Sequence, residues 1–169
     1  PVREVTAGRK EPTLVDIQLL NPIKGSVNLA ITAYPSTLDE VLTGMDRMLR
    51  QPSGCFEQTS SCNYPNLLVL DLLKTTGRIE PGIEAQARNF LDIGYKRLLG
   101  FEVKSGGFDW YGTAPGHAGL TAYGILQFCD MKKVYPVDQC LIDRSVAWLK
   151  TRRDGAGGWK PNENAHNWG

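Results

Sequence analysis

The sequence predicts a mostly α-helical fold, an α/α toroid built from stacked helical hairpins and preceded by a short β segment. From residue 36 onward the apolar residues recur with a helical period. A Gly-Gly-aromatic turn occurs at Gly107 and again 51 residues later at Gly158, and this spacing accommodates two helices with their loops. Before residue 36 the apolar and polar residues alternate instead, which is typical of a half-buried strand.

The composition is that of an ordinary globular protein. Of 169 residues, 41% are hydrophobic and 22% are charged, and the net charge is +1. That charge gives no electrostatic basis for binding nucleic acid or an anionic membrane. No apolar run approaches the roughly 20 residues of a membrane span, and no signal peptide is visible at Pro1-Val2-Arg3-Glu4. We expect the chain to be an excerpt of a larger protein.

Residues 1–35 form the predicted β segment. An apolar stretch around Ile17 is followed by an alternating run from Val27 to Tyr34. Two strands alone cannot build a core. We therefore expect this segment to belong to a neighbouring β-domain.

Residues 36–169 are predicted to form helices. Ser36 is a suitable N-cap for the first of them, with Asp39 three residues on, and Pro52-Ser53-Gly54 ends that helix. Four further helices are predicted from about Pro65 to Gly77 and over roughly residues 83–99, 118–131 and 137–151. A ring of six hairpins at this repeat length needs about 300 residues. About half of a toroid is therefore expected here.

Four cysteines occur, and none of them forms a C-x-x-C pair. A structural zinc site is therefore not expected, and neither is any other metal or cofactor. Cys129 and Cys140 flank a loop between two predicted helices, where they either form a disulfide or serve as small buried hydrophobes. Cys62 remains as the odd cysteine if Cys55 is committed to other chemistry.

The segment Gly54-Cys55-Phe56-Glu57-Gln58-Thr59 concentrates the chemistry of the chain. A thiol and a carboxamide three residues apart can meet in a tight turn and, by losing ammonia, form a cyclic thioester. Such an acylating bond persists only where water is excluded, and Phe56 with the surrounding helices could provide that shielding. The alternative is that Cys55 is simply packed and Gln58 is an ordinary first-turn residue.

This segment resembles the internal thioester signature of the alpha-2-macroglobulin and complement proteins. That signature is Gly-Cys-Gly-Glu-Gln, usually preceded by Pro-x, and residues 52–58 here read Pro-Ser-Gly-Cys-Phe-Glu-Gln. The departure is Phe56, which stands where the animal proteins have glycine. Bacterial relatives are looser at this position, so the resemblance points to a bacterial-type member.

The resemblance continues from about residue 27 to the end of the chain. Its further matches are Tyr64-Pro65-Asn66-Leu67 through Leu73, Gly94-Tyr95 with Leu98-Leu99, Leu120-Thr121-Ala122-Tyr123, and Ala147-Trp148-Leu149 followed by Asp154-Gly155. The resemblance implies that residues 36–169 are the N-terminal part of a thioester domain. It implies that residues 1–35 belong to an adjoining CUB-like domain or linker.

The resemblance also bears on the two histidines. In complement proteins a histidine beyond the Trp-Leu helix attacks the thioester and forms an acyl-imidazole. The freed thiolate then helps a hydroxyl take the acyl group from the imidazole. The matching residue is His166, for which the alternative is an ordinary surface histidine in a loop. His117 matches no functional position, so a helix-start or packing role is expected. Glu57 belongs to the signature and is expected to be solvated or hydrogen-bonded to the loop.

The function implied by the resemblance is single-use covalent capture of nucleophiles, not enzymatic turnover. The partners would be proteases or surface amines and hydroxyls, together with the other domains of the parent protein, outside the cell or in a periplasm. One alternative is an α/α-toroid enzyme of the terpene cyclase or prenyltransferase type, but no aspartate cluster or zinc-ligand set is apparent. Another is a Cys-His hydrolase or transglutaminase using Cys55 and His166, which gives Gln58 no purpose.

Overall fold

The computed structural model describes Leu14 and residues 16–162, and the chain divides into two compact units, Pro1–Pro35 and Ser36–Gly169. Every described residue of the first unit is exposed, and no strand occurs among them. The alternating run from Val27 to Tyr34 therefore has not formed the expected strand within the described residues. The physical reason is that a strand needs a hydrogen-bonded neighbour, and none is present in this unit's described part.

The described part of the second unit is helical, as predicted. Its helices are α1 (Thr37–Thr43), a 3₁₀ turn (Met45–Met48), α2 (Phe56–Thr76), α3 (Pro81–Leu99), α4 (Ala118–Met131) and α5 (Gln139–Thr151). The bounds of α3, α4 and α5 lie within two residues of the predicted ones. No helix in this part of the chain is long and apolar enough to cross a membrane.

The start of α1 follows the sequence prediction, but its length does not. The Ser36 hydroxyl accepts from the Asp39 backbone N–H at 3.1 Å and donates to the Asp39 carboxylate at 2.6 Å. The helix ends at Thr43 and gives way after Gly44 to the 3₁₀ turn, which buries Met45 completely.

Helix α2 begins nine residues earlier than predicted. The sequence predicts Pro65 in the first turn, whereas Pro65 lies inside the 21-residue helix. An internal proline costs a helix about 3 kcal/mol. Five buried apolar side chains on α2 offset this cost, because a large apolar side chain gains roughly 1.5–3 kcal/mol on burial; they are Phe56, Leu67, Val69, Leu70 and Leu73. As a result Cys55 is the N-cap of a long helix that packs against both α3 and α4.

The 51-residue repeat is present in the backbone. In the first glycine turn, residues 102–108, the N–H of Val103 donates to the carbonyl of Gly107 at 2.9 Å. In the second glycine turn, residues 153–159, the N–H of Asp154 donates to the carbonyl of Gly158 at 3.2 Å. An isolated β-bridge also joins the first and last residue of each turn. The two segments therefore fold alike.

The cysteines differ from both expectations for Cys129 and Cys140. None of the four cysteines forms a disulfide, and these two are exposed instead of buried or bonded to each other. Among the described residues no group of three His, Cys, Asp or Glu side chains could hold a metal ion.

Candidate functional site

Cys55 and Gln58 lie together at the N-terminus of α2. Cys55 is the N-cap, with only 8% of its surface exposed, and Gln58 is the third residue of the helix. The two form a reciprocal capping box, in which the Cys55 side chain faces the Gln58 N–H and the Cys55 N–H donates to Gln58 Oε1 at 3.2 Å. The buried thiol and the exposed carboxamide therefore share one end of the helix.

Gly54 permits this close approach. Its φ of +79° is in the left-handed region, and a Cβ at this position would lie 2.0 Å from Gln58 Oε1 and 2.9 Å from Gln58 Cδ. Any other residue would displace the Gln58 carboxamide from the Cys55 backbone. The requirement for glycine at position 54 of the signature is therefore steric in this chain.

Phe56 points into the core of the second unit. It is completely buried, with ring centroids 5.1 Å from Phe108 and 6.2 Å from Phe101. A Cβ on Gly124 of α4 would lie 2.8 Å from its ring, so the absence of a side chain at Gly124 makes room for it. Phe56 therefore anchors the segment by packing beneath it.

Three further residues hold the segment through hydrogen bonds. The carbonyl of Trp110 accepts from the Phe56 N–H at 2.9 Å. The hydroxyl of the buried Thr59 lies 3.1 Å from the Ser53 carbonyl and 3.3 Å from the Gly54 carbonyl. The Arg97 guanidinium donates to the Gly54 carbonyl at 2.6 Å.

The sequence did not predict the supporting roles of Thr59, Arg97 and Trp110. Thr59 follows the signature directly, and this adjacency is the one feature of the sequence that could have indicated its role. Arg97 lies within the Gly94–Leu99 match, but helical periodicity alone does not indicate which residue of α3 reaches residues 54–59.

Glu57 is half-buried in the first turn of α2. A helix N-terminus favours negative charge at this position. The expectation that Glu57 is solvated or hydrogen-bonded to the loop stays a prediction.

His117 has the helix-start role expected from the sequence. It is the N-cap of α4, where its Nδ1 accepts from the Leu120 N–H at 3.2 Å, and its ring centroid lies 4.6 Å from that of Trp110. Burial lowers the pKa of His117, and the nearby Asp109 carboxylate opposes this shift. Because Nδ1 is an acceptor, the ring proton resides on Nε2.

The predicted reactive histidine, His166, lies outside the described residues. Of the predicted site residues, the structure therefore brings together Gly54, Cys55, Phe56, Glu57 and Gln58.

Comparison with known proteins agrees with the signature. The family model described as A-macroglobulin TED domain matches residues 31–168. Thioester-containing protein 1 allele R1 of Anopheles gambiae is 29% identical over 134 residues, which is 79% of this chain and 10% of that protein. Alleles S3 and S1 from the same mosquito are each 28% identical over the same share.

The chain thus spans about a tenth of the length of these curated relatives. The bacterial-type assignment suggested by Phe56 stays a prediction. The family model covers well over half of the chain, and the relatives carry the thioester in their names. The chain therefore belongs to the alpha-2-macroglobulin family of thioester-containing proteins, and its residues 31–168 match the TED domain of that family.

Proposed function

We propose that Cys55 and Gln58 are joined by an internal thioester, which makes this domain a single-use acylating trap. The observation that carries the proposal is the hydrogen bond from the Cys55 N–H to Gln58 Oε1, 3.2 Å long, at a helix start where the thiol is buried. In forming the bond, Cys55 Sγ attacks Gln58 Cδ and the Cδ–Nε2 bond breaks. The nitrogen leaves with the thiol proton as ammonia.

In capture the sulfur of Cys55 is the leaving group instead of the nucleophile. An amine or hydroxyl attacks Gln58 Cδ, the Sγ–Cδ bond breaks, and the proton of the nucleophile passes to Cys55 Sγ. The N-terminus of α2 favours negative charge on the departing sulfur. Because the acyl group ends on the captured target, each molecule reacts once.

His166 is the proposed nucleophilic catalyst of transfer to hydroxyls. Its imidazole would take the acyl group from Cys55, and the freed thiolate would then act as the base for the incoming hydroxyl. This role rests on the family pattern around residues 147–166. It predicts a preference for hydroxyl targets, or acceptance of both hydroxyls and amines.

The helices of residues 36–169 are proposed to form part of an α/α toroid, with residues 1–35 contributing to an adjoining CUB-like domain. Covalent capture would then serve broad protease inhibition or the marking of target surfaces, in a secreted or periplasmic protein. The proposed partners are proteases or surface nucleophiles, together with the other domains of the parent protein.

The decisive experiment is the intact mass of the untreated protein. We expect a mass below the sequence mass by one ammonia. Methylamine should label Gln58 and release one titratable thiol at Cys55. Cys55→Ala is the control, which should have its full sequence mass and resist labelling. A wild-type protein of full mass with a permanently free Cys55 thiol would contradict the proposal, and repeated turnover would favour a Cys-His enzyme.

The same assay tests His166. His166→Ala should slow capture of glycerol by at least about tenfold while changing methylamine capture much less. His117→Asn is the matched control, because asparagine can still cap α4. Equal slowing of both reactions in His166→Ala would remove its catalytic role.

A further inference from the structure

A chain of hydrogen bonds runs from α3 to the proposed reacting carbonyl. Arg97 Nη2 donates to the Gly54 carbonyl at 2.6 Å, and the N–H of the next residue, Cys55, donates to Gln58 Oε1 at 3.2 Å. Both groups belong to one peptide unit, the one joining Gly54 to Cys55. We propose that Arg97 is a positioning residue that activates the Gln58 carbonyl through this peptide, both when the thioester forms and when it is attacked.

The surroundings of Arg97 direct its charge to that peptide. Its Nε lies 3.4 Å from the Thr59 hydroxyl, and its guanidinium carbon lies 5.9 Å from the centre of the Phe101 ring. The ion pairs between described side chains join other cations, Arg78, Arg88, Lys96, Lys133 and Arg144, to their carboxylates. A cation that donates to a carbonyl forms a short charge-assisted bond, as the 2.6 Å distance illustrates.

The chemical consequence follows from charge development on Gln58 Oε1. Attack on Cδ, by Sγ in formation or by a nucleophile in capture, converts the carbonyl into a tetrahedral centre with negative charge on Oε1. A donor already aimed at that oxygen stabilises the transition state. Donation to the Gly54 oxygen polarises the shared peptide and makes the Cys55 N–H a stronger donor, since linked hydrogen bonds reinforce one another. Arg97 does not itself touch the reacting atoms.

This inference rests on the proposed thioester, and its test is separate from the test of that bond. The variants are Arg97→Met, which removes the donor and the charge, and Arg97→Lys, which keeps a cationic donor. The matched control is Arg152→Met, because Arg152 also lies 5.9 Å from an aromatic ring, that of Trp148, and donates to a backbone carbonyl, that of Pro161. Neither of these Arg152 contacts involves residues 54–59.

The primary measurement is the second-order rate of thiol release by methylamine in the intact protein. Arg97→Met should react about tenfold more slowly than the wild type, Arg97→Lys should recover part of that rate, and Arg152→Met should react normally. The thermal unfolding midpoints of Arg97→Met and Arg152→Met should be similar. If Arg97→Met does not fold, the comparison of Arg97→Lys with the wild type decides.

A spectroscopic measurement separates activation from a purely structural role. With ¹³C in the Gln58 side-chain carbonyl, the infrared band of the thioester should move to higher wavenumber in Arg97→Met, and less in Arg97→Lys, as its hydrogen bond weakens. An unmoved band and wild-type rates in folded variants would overturn the inference and leave the thioester standing. A wild type without ammonia loss or methylamine labelling would overturn the proposed function itself.

Discussion

The two glycine turns share one backbone and differ in what covers them. In the first, Phe108 is completely buried, whereas Trp159 at the same place in the second is 51% exposed. The first turn also lies under Trp148 of α5, because Cβ atoms on Gly106 and Gly107 would approach that ring to 2.3 and 2.6 Å. Gly155 and Gly157 of the second turn have open space around them.

The repeated sequence therefore specifies the backbone shape of each turn. The residues packed around a turn determine how much that turn contributes to the stability of the protein. Phe108 packs 5.1 Å from Phe56 and 5.6 Å from Phe128, and its N–H donates to the Thr121 hydroxyl at 2.9 Å. Through Phe56 the first turn supports the residue next to Cys55. The second turn has no such connection among the described residues.

The largest expected difference in stability is between alanine variants of the two aromatic residues, Phe108 and Trp159. Phe108→Ala should lower the free energy of unfolding by about 3–5 kcal/mol, because it opens a cavity beside Phe56. Trp159→Ala should cost less than about 1 kcal/mol, since half of that side chain is already exposed. Urea denaturation at a shared m-value measures both. Similar losses would mean that the two turns contribute equally.

A smaller effect separates backbone strain from packing. Gly106 and Gly157 have φ values of +99° and +101°, so an alanine at either position meets the same backbone strain, about 1–3 kcal/mol. At Gly106 the added methyl also collides with Trp148, which adds about 1–3 kcal/mol of overpacking. Gly106→Ala should therefore unfold at clearly lower urea concentration than Gly157→Ala. Coinciding transitions would show that Trp148 yields without cost.

The smallest expected effect is a dependence of stability on pH through His117. This residue adjoins the first turn, because its backbone N–H donates to the Phe108 carbonyl at 2.7 Å. Burial lowers the pKa of His117 in the folded state below its ordinary 6.5, against the opposing Asp109 carboxylate. Between the two values the unfolded chain binds more protons, so stability is full above about 6.5 and declines as the pH falls toward the folded value.

Protonation of His117 also removes the lone pair with which Nδ1 caps α4. We therefore attribute the predicted change of stability with pH to this residue. His117→Asn should keep the cap and flatten this part of the stability profile, as measured by urea denaturation between pH 7 and pH 5. An unchanged slope in the variant would assign the pH dependence to other groups.

Local patterns predicted several elements well. The bounds of α4 were predicted as observed, and Ser36 caps α1, since apolar periodicity and caps act within a few residues. The predicted start of α2 was wrong, because Pro65 lies in the middle of this helix and not in its first turn. The burial of apolar side chains on α2 outweighs the cost of an internal proline. The exposure of Cys129 and Cys140 was also missed, since it depends on which helix faces pack.

The sequence by itself indicated the family, and it indicated that Cys55 and Gln58 can meet, because they are only three residues apart. Only the tertiary structure decided which groups hold that pair. Arg97 reaches the Gly54 carbonyl across 43 positions of sequence, and the Trp110 carbonyl reaches the Phe56 N–H from a separate loop. Such contacts arise where α3 and that loop pack against the start of α2, and no short-range pattern encodes them.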